Sequence, residues 1–126
     1  MHPCYQIFLV DDSALVRQRL RELLTVLPGV AICGEAARAD KAIEQIRVSG
    51  ADAVVLDVDL EAGSGLDVLR AVKRLPAPPV VAVLTIHPFR AFGRHYLGEG
   101  ADHYFEKGAD FDAICNLFDQ LSAARG

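Results

Sequence analysis

The stretch VVLDVDL, Val54 to Leu60, is an apolar run that stops abruptly on two carboxylates, Asp57 and Asp59. Its residues are apolar one after another instead of alternating with polar ones, which predicts a strand covered on both faces, as in a parallel sheet. Such a strand delivers the acid at its C-terminal tip to one edge of the sheet. The same pattern recurs along the chain. YQIFLV, Tyr5 to Val10, runs into Asp11, Asp12 and Ser13. VVAVLT, Val80 to Thr85, ends on a hydroxyl, and HYFE, His103 to Glu106, is followed by Lys107 and Gly108. VAIC, Val30 to Cys33, predicts one further strand, closed by Gly34.

Helical spacing fills the intervals. Val16, Leu20, Leu23, Leu24 and Leu27 share one face, with Ser13 or Asp12 as N-cap and Pro28-Gly29 as the stop. Arginines of RQRLR, Arg17 to Arg21, fall on the opposite, solvated face. Ala42, Ile43 and Ile46 mark a second helix ended by Gly50. Ser64 and Asp67 read as a capping box for a third, through Leu66, Leu69 and Val72. LPAPP, Leu75 to Pro79, forbids regular structure. Pro88 fits the first turn of a fourth helix carrying Phe89, Phe92 and Tyr96, broken by Gly98 and Gly100. Asp110 is placed to cap a last helix bearing Phe111, Ile114, Cys115, Phe118 and Leu121. Strands alternating with helices predict an α/β domain: a flavodoxin-like doubly wound (βα)5 fold, its five-stranded parallel sheet in the order 2-1-3-4-5 with helices on both faces.

Composition narrows the function. The chain has 126 residues, 52% of them apolar, which suits a single domain spanning 1–126 with a substantial core. Its formal net charge is −4 and its basic residues are scattered, so direct nucleic-acid binding is not expected. No apolar run reaches the roughly 18–20 residues of a membrane span. The start, MHPCYQIFLVDDS, has no secretion-signal pattern and reads as mature sequence. Cys4, Cys33 and Cys115 form no ligand set and read as free thiols in a reducing, cytoplasmic setting.

With the order 2-1-3-4-5, the strand order reverses between the first and third strands, where open α/β sheets bind ligands. Asp11, Asp12 and Asp57 then share one pocket. Carboxylates that close need a counter-charge. Mg²⁺, with Mn²⁺ as a substitute, takes oxygen ligands and leaves positions for water and phosphate oxygens. Lys107 and Thr85 add an ammonium and a hydroxyl. A carboxylate surrounded in this way is suited to attack on phosphorus.

The chain resembles the receiver domain of two-component response regulators over essentially its whole length, through FLVDDS, VVLDVDL, VAVLT and YFEKG in that order. The resemblance implies a phosphorelay signalling switch and not a free-standing enzyme. It implies Asp57 as phospho-acceptor, with Asp11 and Asp12 as the acidic pair that holds Mg²⁺. Asp59 falls where the family uses a backbone carbonyl as metal ligand. Thr85 matches the switch hydroxyl, Lys107 the lysine that meets the phosphoryl group, and Tyr104 the aromatic whose rotamer follows phosphorylation. The implied donor is a sensor histidine kinase or histidine phosphotransfer protein. The implied effector surface is the face of the fourth helix, fifth strand and fifth helix. Three positions depart from the family: Gly108 replaces a usual proline, Ile86 a usual small residue beside the donor's approach, and EAGSG lacks a common proline. A cis bond at Gly108 is not expected, since it costs about 2.5–4 kcal/mol without proline. Asp59 and His87 lie two residues beyond site residues and are candidates for tuning phosphoryl lifetime.

Other classes fit less well. LDVDL also resembles the Asp-x-Asp start of haloacid-dehalogenase-type phosphatases, but there the acidic metal motif follows this strand, and here it precedes it. A nucleotide- or flavin-binding module lacks its Gly-rich loop, since Asp11-Asp12-Ser13 stands in its place. A receiver-like interaction module that is never phosphorylated is the remaining alternative.

Overall fold

The computed structural model describes residues 4–125. The elements run β1 (Tyr5–Val10), α1 (Ala14–Leu24), β2 (Val30–Ala36), α2 (Ala39–Ser49), β3 (Ala53–Leu56), α3 (Gly65–Val72), β4 (Val80–Thr85), α4 (Phe89–Gly98), β5 (His103–Glu106) and α5 (Phe111–Arg125). One parallel sheet forms in the order β2-β1-β3-β4-β5, as the apolar runs predict. Alternate strand residues feed two cores. Ile7, Leu9, Val55 and Leu84 pack with Leu20 and Leu24 of α1 and Ile114 and Phe118 of α5. Phe8, Val10, Val54, Leu56 and Val83 pack with Ile46 of α2, Leu69 of α3 and Tyr96 of α4. Period-two alternation sorts neighbours to opposite faces, so a strand apolar at every position needs helices on both.

Local boundaries differ from the sequence expectation where tertiary contacts intervene. β2 does not close at Gly34 but continues to Ala36. The pairing Ile7–Ile32 is followed by Phe8–Gly34, so Cys33 is an extra residue in the strand. Phe8 explains the glycine: a Cβ at position 34 would lie 2.6 Å from its ring. The first helix ends at Leu24, short of Pro28-Gly29, with the Thr25 hydroxyl donating to the Arg21 carbonyl at 2.6 Å. Ser13 is its N-cap, accepting from the Val16 amide at 3.2 Å. The Ser64–Asp67 capping box forms as expected. Pro88 is the N-cap of α4 and so stands one residue before its first turn. The Asp110 carboxylate reaches back to the Glu106 amide at 2.8 Å and ties β5 to the following turn.

Gly-Ala-Asp occurs at 50–52, 100–102 and 108–110. The first two copies make the same closure at the N-terminal edge of the sheet. Asp52 N–H donates to the Gln6 carbonyl at 2.8 Å while its Oδ2 accepts from the Gln6 amide at 2.8 Å. Asp102 does the same with Val81, at 2.9 and 2.8 Å. Both glycines have positive φ, 71° and 113°, which turns the chain out of the preceding helix into the strand.

Candidate functional site

The C-terminal edge gathers the polar residues on either side of the strand-order reversal. Asp11 and Asp57 are both only 2% exposed, and Lys107 Nζ stands 2.9 Å from Oδ2 of each. Asp12 is exposed, yet it, Asp11 and Asp57 each offer a carboxylate oxygen within 4.8 Å of the others. Such a set suits a hard cation, which takes carboxylate oxygens and keeps open positions.

The backbone fixes these acids before any cation is involved. Asp11 N–H donates to the Ala36 carbonyl at 3.1 Å, and Asp57 N–H to the Val10 carbonyl at 2.9 Å. Asp11 Oδ1 accepts from the Ser13 amide at 2.8 Å. Burial pushes the Asp11 carboxyl up to about 6, against the Ser13 and Lys107 hydrogen bonds and with the help of the Asp57 charge. For Lys107, burial works to lower the pKa, but hydrogen bonds and charge from Asp57 and Asp11 prevail and hold the ammonium above its usual value. Two buried acids thus share one partly buried base, with Asp12 beside them. The residual negative charge fits a divalent cation.

Thr85 is fully buried at the tip of β4. Its Oγ1 accepts from the His87 amide at 3.4 Å, and no hydrogen bond joins it to Asp57. Tyr104 is half-buried on β5 and donates to the His87 carbonyl at 2.9 Å. Phe89 meets the Tyr104 ring edge-on at 5.5 Å between centroids. Ile86 is 69% exposed. The Lys107–Gly108 peptide is trans and Gly108 has φ +88°, so the site lysine sits in a turn of its own shape.

Asp59 is not among the clustered carboxylates. Its N–H lies 3.4 Å from Asp57 Oδ1, while its own Oδ2 meets His87 Nε2 at 2.7 Å. The two lifetime candidates are therefore one pair that bridges the β3–α3 and β4–α4 loops. The His87 ring also meets Phe92 edge-on at 4.9 Å. Sequence reading treated these residues separately, because 28 positions divide them.

Two further contributors carried no sequence signal for the site. Gly65 lets α3 press against the tip of β3, since a Cβ there would lie 2.3 Å from the Asp57 carbonyl oxygen. Arg17 is not on a solvated face. Its Nη1 donates to the Asp11 carbonyl at 2.6 Å and its Nε to Glu35 Oε1 at 2.8 Å, while Arg21 binds Glu35 Oε2. Arg21 and Arg17 hold the Glu35 carboxyl below its usual value.

Residues 7–119 match the family model of the response regulator receiver domain. The response regulator UvrY of Escherichia coli is 31% identical over 103 residues, covering 82% of this chain and 47% of that protein. The nitrate/nitrite response regulator NarP of the same organism is 31% identical over 110 residues, 87% of this chain and 51% of that one. The chain thus spans about half the length of these curated relatives. Among solved structures, a LuxR-family two-component response regulator from Aurantimonas is 30% identical with a TM-score of 0.86, covering 97% of this chain and 87% of that one. The response regulator domain of Thermotoga maritima CheB has the same fold at a TM-score of 0.82 and 19% identity, over 97% and 96% of the two chains.

Proposed function

This chain belongs to the response regulator receiver domain family of two-component systems, and from that premise we propose that it is a signalling switch phosphorylated on Asp57. The observation that carries this reading is the buried Asp57 carboxylate at the sheet's C-terminal edge, held 2.9 Å from Lys107 Nζ and beside Asp11 and Asp12. Asp11, Asp12 and Asp57 carboxylates and the Asp59 backbone carbonyl would hold Mg²⁺, with Mn²⁺ able to replace it. When bound, the cation supplies positive charge to the phosphoryl oxygens.

A carboxylate oxygen of Asp57 attacks the phosphorus of a phosphohistidine on a sensor kinase or phosphotransfer protein. The P–O bond of the acyl phosphate forms as the P–N bond breaks, and the leaving imidazole nitrogen keeps the bonding pair and takes up a proton. Lys107 then exchanges a carboxylate partner for a phosphoryl oxygen. The Thr85 hydroxyl leaves the His87 amide and turns to the phosphoryl group, which frees the β4–α4 loop. Tyr104 follows, because its hydroxyl is bonded to that loop's His87 carbonyl. The effector surface is α4–β5–α5, where Phe89, Arg90 and Arg94 line a cavity of about 270 Å³ beside Tyr104. Residues 1–126 act as one receiver unit in the cytoplasm. Its chemistry is limited to its own phosphorylation and dephosphorylation, and it does not itself contact nucleic acid.

Incubation with Mg²⁺ and a small phosphodonor, followed by intact mass, tests the assignment. One phosphoryl group is expected on the parent and none on Asp57→Asn. Labelling that survives the substitution, or a parent that no donor labels, overturns it.

A further inference from the structure

Arg17 bonds a residue of the site and the C-terminal end of a neighbouring strand at the same time. It stands in the first turn of α1, its side chain only 17% exposed. One arm, Nη1, donates to the backbone carbonyl of Asp11 at 2.6 Å. Another, Nε, donates to Glu35 Oε1 at 2.8 Å, and Arg21 occupies the other oxygen of Glu35. Glu35 is in β2, and Leu9 of β1 pairs with it. The guanidinium is therefore fixed by β2 and α1, and it in turn fixes the carbonyl at which β1 ends.

We propose that Arg17 is a positioning residue that presets the Asp11–Asp12 turn for a divalent cation. The proposal rests on the cation reading given above and deepens it. The geometry explains why a brace is needed there. Asp11 N–H, Oδ1 and Oδ2 are already held by Ala36, Ser13 and Lys107. The carbonyl is the remaining polar group of the residue, and it precedes the peptide that aims Asp12, the exposed member of the acid cluster. With that carbonyl held, the peptide leading to Asp12 has a fixed plane, and the two acids keep their relative direction while ionised and mutually repelling. Without it, the cation must order the turn as it binds.

The fork geometry makes arginine specific. A lysine ammonium is a point charge on a flexible stem and does not reproduce two donors held in one plane. Arg17→Lys keeps the charge, so it separates positioning from electrostatics. Arg21→Lys is the control, because Arg21 shares Glu35 but does not touch Asp11.

The experiment is a calorimetric titration of the metal-free protein with Mg²⁺, alongside the melting temperature without metal. Arg17→Lys is expected to weaken Mg²⁺ binding by about tenfold, because the cation must then order the turn as it binds. Arg21→Lys should stay within about twofold of the parent. Glu35→Gln, which leaves Arg17 in place but loosens its seat, should lie between them, and it serves if Arg17→Lys does not fold. Parent-like affinity in both Arg17→Lys and Glu35→Gln, with only a lower melting temperature, overturns the proposal and reduces Arg17 to a structural tie. Equal losses in Arg17→Lys and Arg21→Lys also overturn it, since the effect would then come from the Glu35 contact that both arginines share and not from the Asp11 carbonyl. A parent that binds no Mg²⁺ fails the cation reading itself, a different result from a parent that binds and a lysine variant that binds equally.

Discussion

The two edges of the sheet solve the same electrostatic problem in opposite ways. At the N-terminal edge each acid has its own partners. Asp102 accepts from Lys73 Nζ at 2.8 Å and from the Val81 amide at 2.8 Å. Asp52 accepts from the Gln6 amide and from Arg125. Burial works to raise the Asp102 carboxyl, but Lys73 and the Val81 amide outweigh it and leave its pKa below the usual value. At the C-terminal edge Asp11 and Asp57, both buried, share Lys107 with Asp12 beside them, and Asp11 is pushed up to about 6. One base per acid makes a structural tie. Too few bases for the acids leaves a site whose carboxylates suit a cation.

Removing the base from each edge breaks this comparison most directly. Lys107→Met leaves two buried carboxylates uncompensated, and the expected loss of stability is about 3 kcal/mol at pH 8. The loss should shrink at pH 5, where Asp11 can take a proton. Lys73→Met removes a partner from a more exposed acid and should cost about 1 kcal/mol. That loss should be equal at pH 5 and pH 8, because an acid with a depressed pKa contributes fully throughout the range above its unfolded value. Urea denaturation at the two pH values reads both. Equal losses at both edges would remove the distinction.

A smaller effect sharpens it. The Asp11 carboxyl is pushed up to about 6 in the folded protein, from an ordinary value of 3.8. The folded state therefore holds its proton to higher pH than the unfolded chain. Stability is greatest below about pH 4 as far as this group is concerned, and it declines as pH rises toward 6, by about 2–3 kcal/mol. Mg²⁺ should accordingly raise the melting temperature more at pH 8 than at pH 5. In Asp11→Asn the metal-free protein should gain about 1–2 kcal/mol at pH 8 and lose most of the Mg²⁺ response. A Mg²⁺ shift independent of pH would count against the charge imbalance.

The smallest expected change in stability belongs to the Asp59–His87 pair. Asp59 is about half exposed, so Asp59→Asn should alter stability by less than about 0.5 kcal/mol. The phosphoryl half-life on Asp57 is the informative readout. It should change, because the pair closes two loops over the acceptor. Equal half-lives in variant and parent would end the idea that these side chains tune the site.

Much of this was legible in the chain. Each element announced itself by apolar period, and Asp11, Asp57 and Lys107 by standing at strand tips. The errors came from residues whose role depends on a distant neighbour. Gly34 reads as a strand end until Phe8 is laid over it. Arg17 reads as solvated until β2 brings Glu35 alongside, 18 positions away. Gly65 reads as loop until the Asp57 carbonyl is seen beneath it. Gly-Ala-Asp stands three times in the sequence, but only the strands show that two of the copies close the N-terminal edge.

The sequence by itself determined the order of elements, the parallel sheet and the chemical inventory of its C-terminal edge. These follow from local period and from which residue ends each strand. The tertiary structure decided which groups are short of partners. That count depends on through-space distances: one lysine 2.9 Å from two acids, one arginine holding both a carbonyl and a carboxylate, one histidine bonded to Asp59. Coulomb and hydrogen-bond energies fall off with separation in space and are indifferent to separation along the chain.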